Sequence, residues 1–228
     1  MVERLTAALV VGLVIISMAV GGALGTVAAG NGTTITAAAS VTRTDTSTDP
    51  NSTTPYILTM VITTNNLYNS TVGPQPAFFV QTPSGLQSSA NITLPAHRLI
   101  EVIIMNFDQG NATLTGPQFA NVTGTVNNTM SFYNNNAMNA TEGPSGIIVQ
   151  GQQTVSSLSA NFISHTFTVP SLGLNIPIAA ESTEVAFFNT GGPGVYSWLC
   201  QSLCGSGPDG IGGAMSTPGW MSGLVTVT

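Results

Sequence analysis

Past residue 54 the chain alternates short β-branched and aromatic runs with Gly, Pro, Asn and Ser turns, the pattern of a fold built from short strands. Residues 55–63, PYILTMVIT, predict a first strand, and FVQ at 79–81 a second, ended by the turn-forming TPSG. Residues 98–107, RLIEVIIMNF, are bounded by Pro95 and by DQGN at 108–111. HTFTV at 165–169 alternates so that His165, Phe167 and Val169 share one face. Residues 184–188, 195–199 and 224–228 complete the set, and no helical period of useful length interrupts it. The expectation is an all-β fold, an antiparallel Greek-key β-sandwich.

The polar and apolar pattern changes sharply toward the N-terminus. Residues 5–29 form an uncharged apolar run behind Arg4, longer than the ~7 to 15 residues of a signal-peptide core and matching the ~20 that span a bilayer. A retained N-terminal hydrophobic helix is the favoured reading, although the small residues at 26–29 keep a cleaved signal open. With Arg4 the only cation nearby, the bulk of the chain is expected outside the membrane. Residues 30–54 are Thr, Ser, Asn, Gly and Ala with almost nothing to bury, so they read as a stalk. The division expected is an anchor or signal at 1–29, a stalk at 30–54 and a sandwich at 55–228. An insertion at 108–160 is too long for a bare connection, and in it 121–126 and 129–133 are expected to form a hairpin about Asn127 and Asn128.

Composition narrows the partners. Only 5% of residues are charged, and the three cations are Arg4, Arg43 and Arg98, so no groove can neutralise a run of phosphates and nucleic acid is excluded. A surface made polar by Ser, Thr, Asn and Gln keeps its character when carboxylates protonate, which suits an acidic external medium. Sequons at Asn31, Asn51, Asn69, Asn91, Asn111, Asn121, Asn127 and Asn139 offer glycan sites in an exported chain. None lies in the C-terminal third, which is therefore expected to be the face nearest chemistry or a partner.

That third holds both cysteines, Cys200 and Cys204, with His165 upstream and Met215 and Met221 downstream. The stretch SHTFTVPSLG at 164–173 resembles the His-bearing strand and loop of the cupredoxin family. GVYSWLCQSLCG at 194–205 is similar to the copper-binding strand end of the binuclear copper domain of cytochrome oxidase subunit II. LPAH at 94–97 is similar to the proline turn before a core strand, as also in membrane-anchored archaeal sulfocyanins. The resemblance covers roughly residues 75–228, interrupted by the insertion. It implies a cupredoxin-like sandwich with copper as cofactor, His165, Cys200 and Cys204 as ligands, and Met215 or Met221 as a weak axial sulfur. Thiolate and thioether sulfur suit reduced copper, imidazole suits both oxidation states, and strands hold them rigidly.

One departure is large. Where the oxidase domain has its second histidine and its methionine, this chain has Pro208 and Ile211. His97 precedes the strand at 98–107 and would sit at the opposite end of the sandwich from the ligand loops, so it is read as an exposed turn residue. A Cys200–Cys204 disulfide stays open as the alternative, as is usual for paired cysteines in an exported chain. Trp198 and Trp220 read as packing. The glycine-rich 205–213 lacks the lysine of a phosphate loop, and no catalytic triad is identifiable, so enzymatic activity is not expected. Two functions follow. One is an exported, membrane-tethered copper protein that passes electrons or delivers copper at the outer membrane face, with a respiratory redox partner. The other is a glycosylated cell-surface or filament component using a metal-free, disulfide-stapled sandwich, with a cell-surface protein as partner.

Overall fold

The computed structural model describes residues 54–134, 152–208 and 210–228, all within one compact unit, Thr46–Thr228. The expected anchor at 1–29, most of the stalk and the sequons at Asn31, Asn51 and Asn139 lie outside the described residues. Among the described residues no helix is long and apolar enough to cross a membrane.

Two sheets carry the core. The first has seven strands in the order β3 (Gly85–Ser88), β2 (Ala77–Thr82), β1 (Tyr56–Thr63), β5 (Leu99–Asn106), β10 (Ser182–Asn189), β6 (Met130–Asn134) and β7 (Gln152–Val155). The second has five, in the order β4 (Asn91–Leu94), β14 (Ser222–Val227), β11 (Gly194–Leu199), β8 (Ile163–Val169) and β9 (Leu174–Ala179). A two-residue ribbon, β12 (Ser206–Gly207) with β13 (Gly210–Ile211), and a single helical turn, Gly213–Ser216, complete the loop after the cysteines. Strict alternation on β5 sends Ile100, Val102, Ile104 and Asn106 inward. The three aliphatic side chains join Phe167, Ile176 and Trp198 of the other sheet in one buried cluster.

The strands read from alternation are all present, but the sandwich is not purely antiparallel. β1 pairs with β5 in parallel, from Tyr56 opposite Ile100 to Ile62 opposite Asn106, and β14 pairs with β4 in parallel. The cause is the β2–β3 hairpin, which takes the outer edge of β1, so the chain crosses to the second sheet as β4 before returning as β5.

The expected hairpin in the insertion is half right. Asn127 and Asn128 do make the turn, both in the left-handed region at φ 60 and 51. The arms, however, do not pair with each other. β6 joins β10 on one side and β7 on the other, while Asn121 and Thr123 bridge singly to Ser157 and Asn175. Gly124 explains the divergence, because a Cβ there would fall 2.6 Å from the carbonyl oxygen of Gly173. The first arm thus lies directly on the turn before β9, and Asn175 fixes it by donating to the carbonyls of Phe119 and Asn121. Every residue of β8 and β9 is consequently buried. The described residues of the insertion, 108–134 and 152–160, are therefore part wall and part sheet extension.

Candidate metal centre

Two neighbouring strands of the second sheet bring the chemistry together. His165 lies on β8 beside a register shift against β9, where Ile163 faces Ala179 and His165 faces Ile178. Such an irregularity re-aims a side chain. Cys200 follows the last residue of β11 directly, and its N–H donates to the carbonyl of Met221 at 2.7 Å. From there the chain turns tightly, with the Cys204 N–H on the carbonyl of Ser202 at 2.8 Å, so both sulfurs face the same interior. One ligand atom from each of His165, Cys200 and Cys204 lies within 4.8 Å of the others. All three side chains are buried, and Cys200 Sγ stands 3.3 Å from Cys204 Sγ with both thiols free.

The surroundings favour charge separation at this point. Cys200 Sγ accepts the N–H groups of Thr166 and Ser202, each at 3.4 Å. Burial pushes the Cys200 thiol up, but hydrogen bonding from Cys204 and the adjacent His165 bring it well below its ordinary value. Cys204 moves the opposite way, raised by its hydrogen bond to Cys200 and by burial. The pair thus titrates as a unit, with the thiolate on Cys200. Burial disfavours the imidazolium of His165, yet Asp108 and Cys200 outweigh it and hold the ring at about 9. His165 Nε2 sits 2.9 Å from Asp108 Oδ2, and Asp108 is lowered by that contact despite its burial.

His165 Nδ1 is buried without a hydrogen-bond partner, as is Ser202 Oγ in the cysteine loop. A buried polar atom left alone is costly, and coordination is one way to satisfy it. Two sulfurs and one imidazole nitrogen form a donor set for soft and borderline metals. The residues present therefore fit a metal ion. Phe78 closes the site on one side, its ring edge-on to His165 at 6.0 Å between centroids and to Trp198 at 5.1 Å.

The remaining sequence candidates are placed as follows. Met221 is fully buried and adjoins Cys200 through the backbone bond already given. Met215 is half-buried on the helical turn, against the edge of the core. His97 is exposed, in the left-handed region at φ 53, just before β5. Asp108 lies just beyond the other end of that strand and touches His165, so His97 is about a strand length, ~30 Å, from the cluster. Pro208, standing where a second histidine was sought, is exposed at the tip of the β12–β13 ribbon. Gly207 of this loop serves packing, since a Cβ there would meet Gly213 and Ala214 backbone atoms at 2.3 to 2.6 Å.

Sequence reasoning passed over Asp108 and Glu184. Asp108 looked like one more turn residue, and its partner His165 is 57 positions away. Glu184 had a signal, since it is in phase with Ala186 and Phe188 on β10 and so had to face inward.

No family model matches the chain, and no curated protein matches it. Among solved structures it is similar to auracyanin B, at TM-score 0.31 and 15% identity over 78% of this chain and 92% of that one. It is similar to the periplasmic domain of subunit II of the cytochrome oxidase of Bradyrhizobium japonicum, at TM-score 0.32 and 13% identity over 75% and 83%. Reduced rusticyanin is a third, at TM-score 0.31 and 12% identity over 78% and 81%. Two sheets packed on one core, with the histidine on β8 and both cysteines after the neighbouring β11, make the fold an all-β sandwich of the kind that the cupredoxin resemblance in the sequence implies.

Proposed function

We propose that the protein binds copper through His165, Cys200 and Cys204 and serves as an electron carrier. The observation that carries this reading is the buried cluster in which these three donors lie within 4.8 Å of one another. Met221 or Met215 would supply a further, weaker thioether donor. Bound copper supplies a one-electron couple, and the frame of β8 and β11 keeps the donors in place in both oxidation states. Burial of all three donors supports electron transfer over copper delivery, because a ligand set sealed from solvent retains its ion. The same seal leaves small substrates no approach, which supports a carrier in preference to an enzyme.

The apolar N-terminal run and the sequons support an exported location, tethered at the outer face of the membrane, with a sandwich at 55–228 and glycans on some of the asparagines. Among the described sequons Asn91, Asn111, Asn121 and Asn127 are exposed. The partner proposed is a membrane-associated redox protein. The test is metal analysis with a visible spectrum after copper loading of the reduced protein. One copper per chain with a thiolate-to-copper band is expected, and His165→Ala should abolish it.

A second reading has its own observation, the 3.3 Å between the two sulfurs. Oxidation would join them with little movement and convert the site to a staple for a cell-surface building block. Mass spectrometry of the native protein, showing Cys200 linked to Cys204 and no stoichiometric metal, would establish that reading instead.

A further inference from the structure

The outer neighbour of His165 is a carboxylate fixed on both of its oxygens. Asp108 Oδ2 lies 2.9 Å from His165 Nε2, and Oδ1 accepts the N–H of Gly110 at 3.2 Å. Its main chain is fastened as well: the Asp108 N–H donates to Asn106 Oδ1 at 2.9 Å, and its carbonyl accepts the N–H of Glu181 at 3.0 Å. The strap that begins here is tied to β8 by Ser164 Oγ on the carbonyl of Gly110 and by the Ala112 N–H on that of Ile163 at 3.1 Å. It is tied to the cysteine loop by the Leu203 N–H on the carbonyl of Thr113 and the Thr115 N–H on that of Gln201, both 2.8 Å. One segment thus joins the two strands that supply the metal donors. It is the start of the insertion that splits the sandwich sequence.

We propose that Asp108 is the positioning residue of the metal centre, holding His165 through Nε2–H so that Nδ1 is the nitrogen presented with the two sulfurs. Two facts converge on this: Nε2 is already engaged, and Nδ1 is buried with no hydrogen-bond partner. A carboxylate on the far nitrogen fixes ring orientation and makes the imidazole a stronger donor. Its negative charge also favours the more highly charged, oxidised ion. The role rests on the copper reading of the site.

The test uses the full chain, reduced, with native, Asp108→Ala and Asp108→Asn forms compared. Three quantities are read: cuprous-ion affinity in competition with a chelator, midpoint potential, and imidazole nitrogen resonances with and without cuprous ion. In native protein a slowly exchanging Nε2–H signal should be present without metal and survive copper binding, and the larger nitrogen shift on binding should fall on Nδ1. Asp108→Ala should lose the Nε2–H signal, bind cuprous ion ~10- to 100-fold more weakly and shift to a higher potential. Asp108→Asn keeps an acceptor oxygen without the charge, so it should recover much of the affinity but retain the raised potential. Should Asp108→Ala fail to fold, the near-isosteric Asp108→Asn carries the test through its potential and nitrogen shifts. Native affinity and potential in both variants, or copper on Nε2 in the native protein, would overturn the positioning role alone. Failure of the native protein to bind cuprous ion would overturn the copper reading itself.

Discussion

Cys200 Sγ stands 3.3 Å from Cys204 Sγ inside the fold, near enough to share one proton and set apart by the amides that point at only one of them. Thr166 and Ser202 both donate to Cys200. That asymmetry makes Cys200 the thiolate of the pair and Cys204 the thiol.

The first expectation follows from it. With Cys200 held well below its ordinary value and Cys204 held above, reduced metal-free protein should show one thiolate per chain at neutral pH by ultraviolet absorbance. Cys200→Ser should remove that signal, and Cys204→Ser should keep it. Two un-ionised thiols at neutral pH would contradict the charge separation.

Glu184 sets a second, through pH. It is fully buried on β10, with Oε1 accepting from the Ala179 N–H and Ser182 Oγ and Oε2 unpartnered, and burial raises it from 4.5 to about 8. Below 4.5 both folded and unfolded chains carry the proton. Between 4.5 and about 8 the unfolded chain ionises while the fold keeps its proton, so stability falls by about 1.4 kcal/mol per pH unit. His165, raised from 6.5 to about 9, adds stability that is complete below 6.5 and is lost as pH rises through 9. Cys200, held well below its ordinary value, works in the opposite direction, so Glu184 is isolated by a difference between two proteins. From pH 4.5 to 6.5 the denaturant midpoint of the metal-free native protein should fall relative to that of Glu184→Gln. A gap between the two that does not change across that window would contradict the assignment, and with it the fit to an acidic medium.

His165, Cys200 and Cys204 could be singled out from sequence as candidate donors by residue type alone, and the structure brings the three together because β8 and β11 are neighbours. The strands themselves were legible where one face is buried, as on β5. β9 was missed because it is buried on both faces and carries Pro177, a residue that argues against a strand except at an edge, which is where β9 lies in its sheet. Parallel pairing of β1 with β5 and the tie between Asp108 and His165 depend on where distant segments cross, which no local pattern encodes.

Gly207 gives a third expectation. A Cβ there would lie 2.3 Å from the Gly213 carbonyl carbon, so Gly207→Ala must separate the β12–β13 ribbon from the helical turn. A loss of about 1 to 3 kcal/mol is expected by denaturant unfolding, as for other overpacked sites. Gly210→Ala, where nothing lies within 4 Å but φ is +89°, tests backbone conformation separately. Native stability in Gly207→Ala would show that the loop is not packed as described.

Metal binding should also stabilise the fold, since the three donors come together only when β8 and β11 are paired. At a copper concentration 100 times the dissociation constant the gain is about 2.7 kcal/mol. Scanning calorimetry should show a higher Tm with copper in the native chain and no shift in Cys200→Ser.

The most direct test is X-ray absorption spectroscopy at the copper edge of the loaded, reduced protein. Two sulfur neighbours and one imidazole nitrogen are expected, with one sulfur lost in Cys204→Ser and the imidazole lost in His165→Ala. A copper environment of oxygen and nitrogen alone, unchanged by either substitution, would contradict a centre built from His165, Cys200 and Cys204.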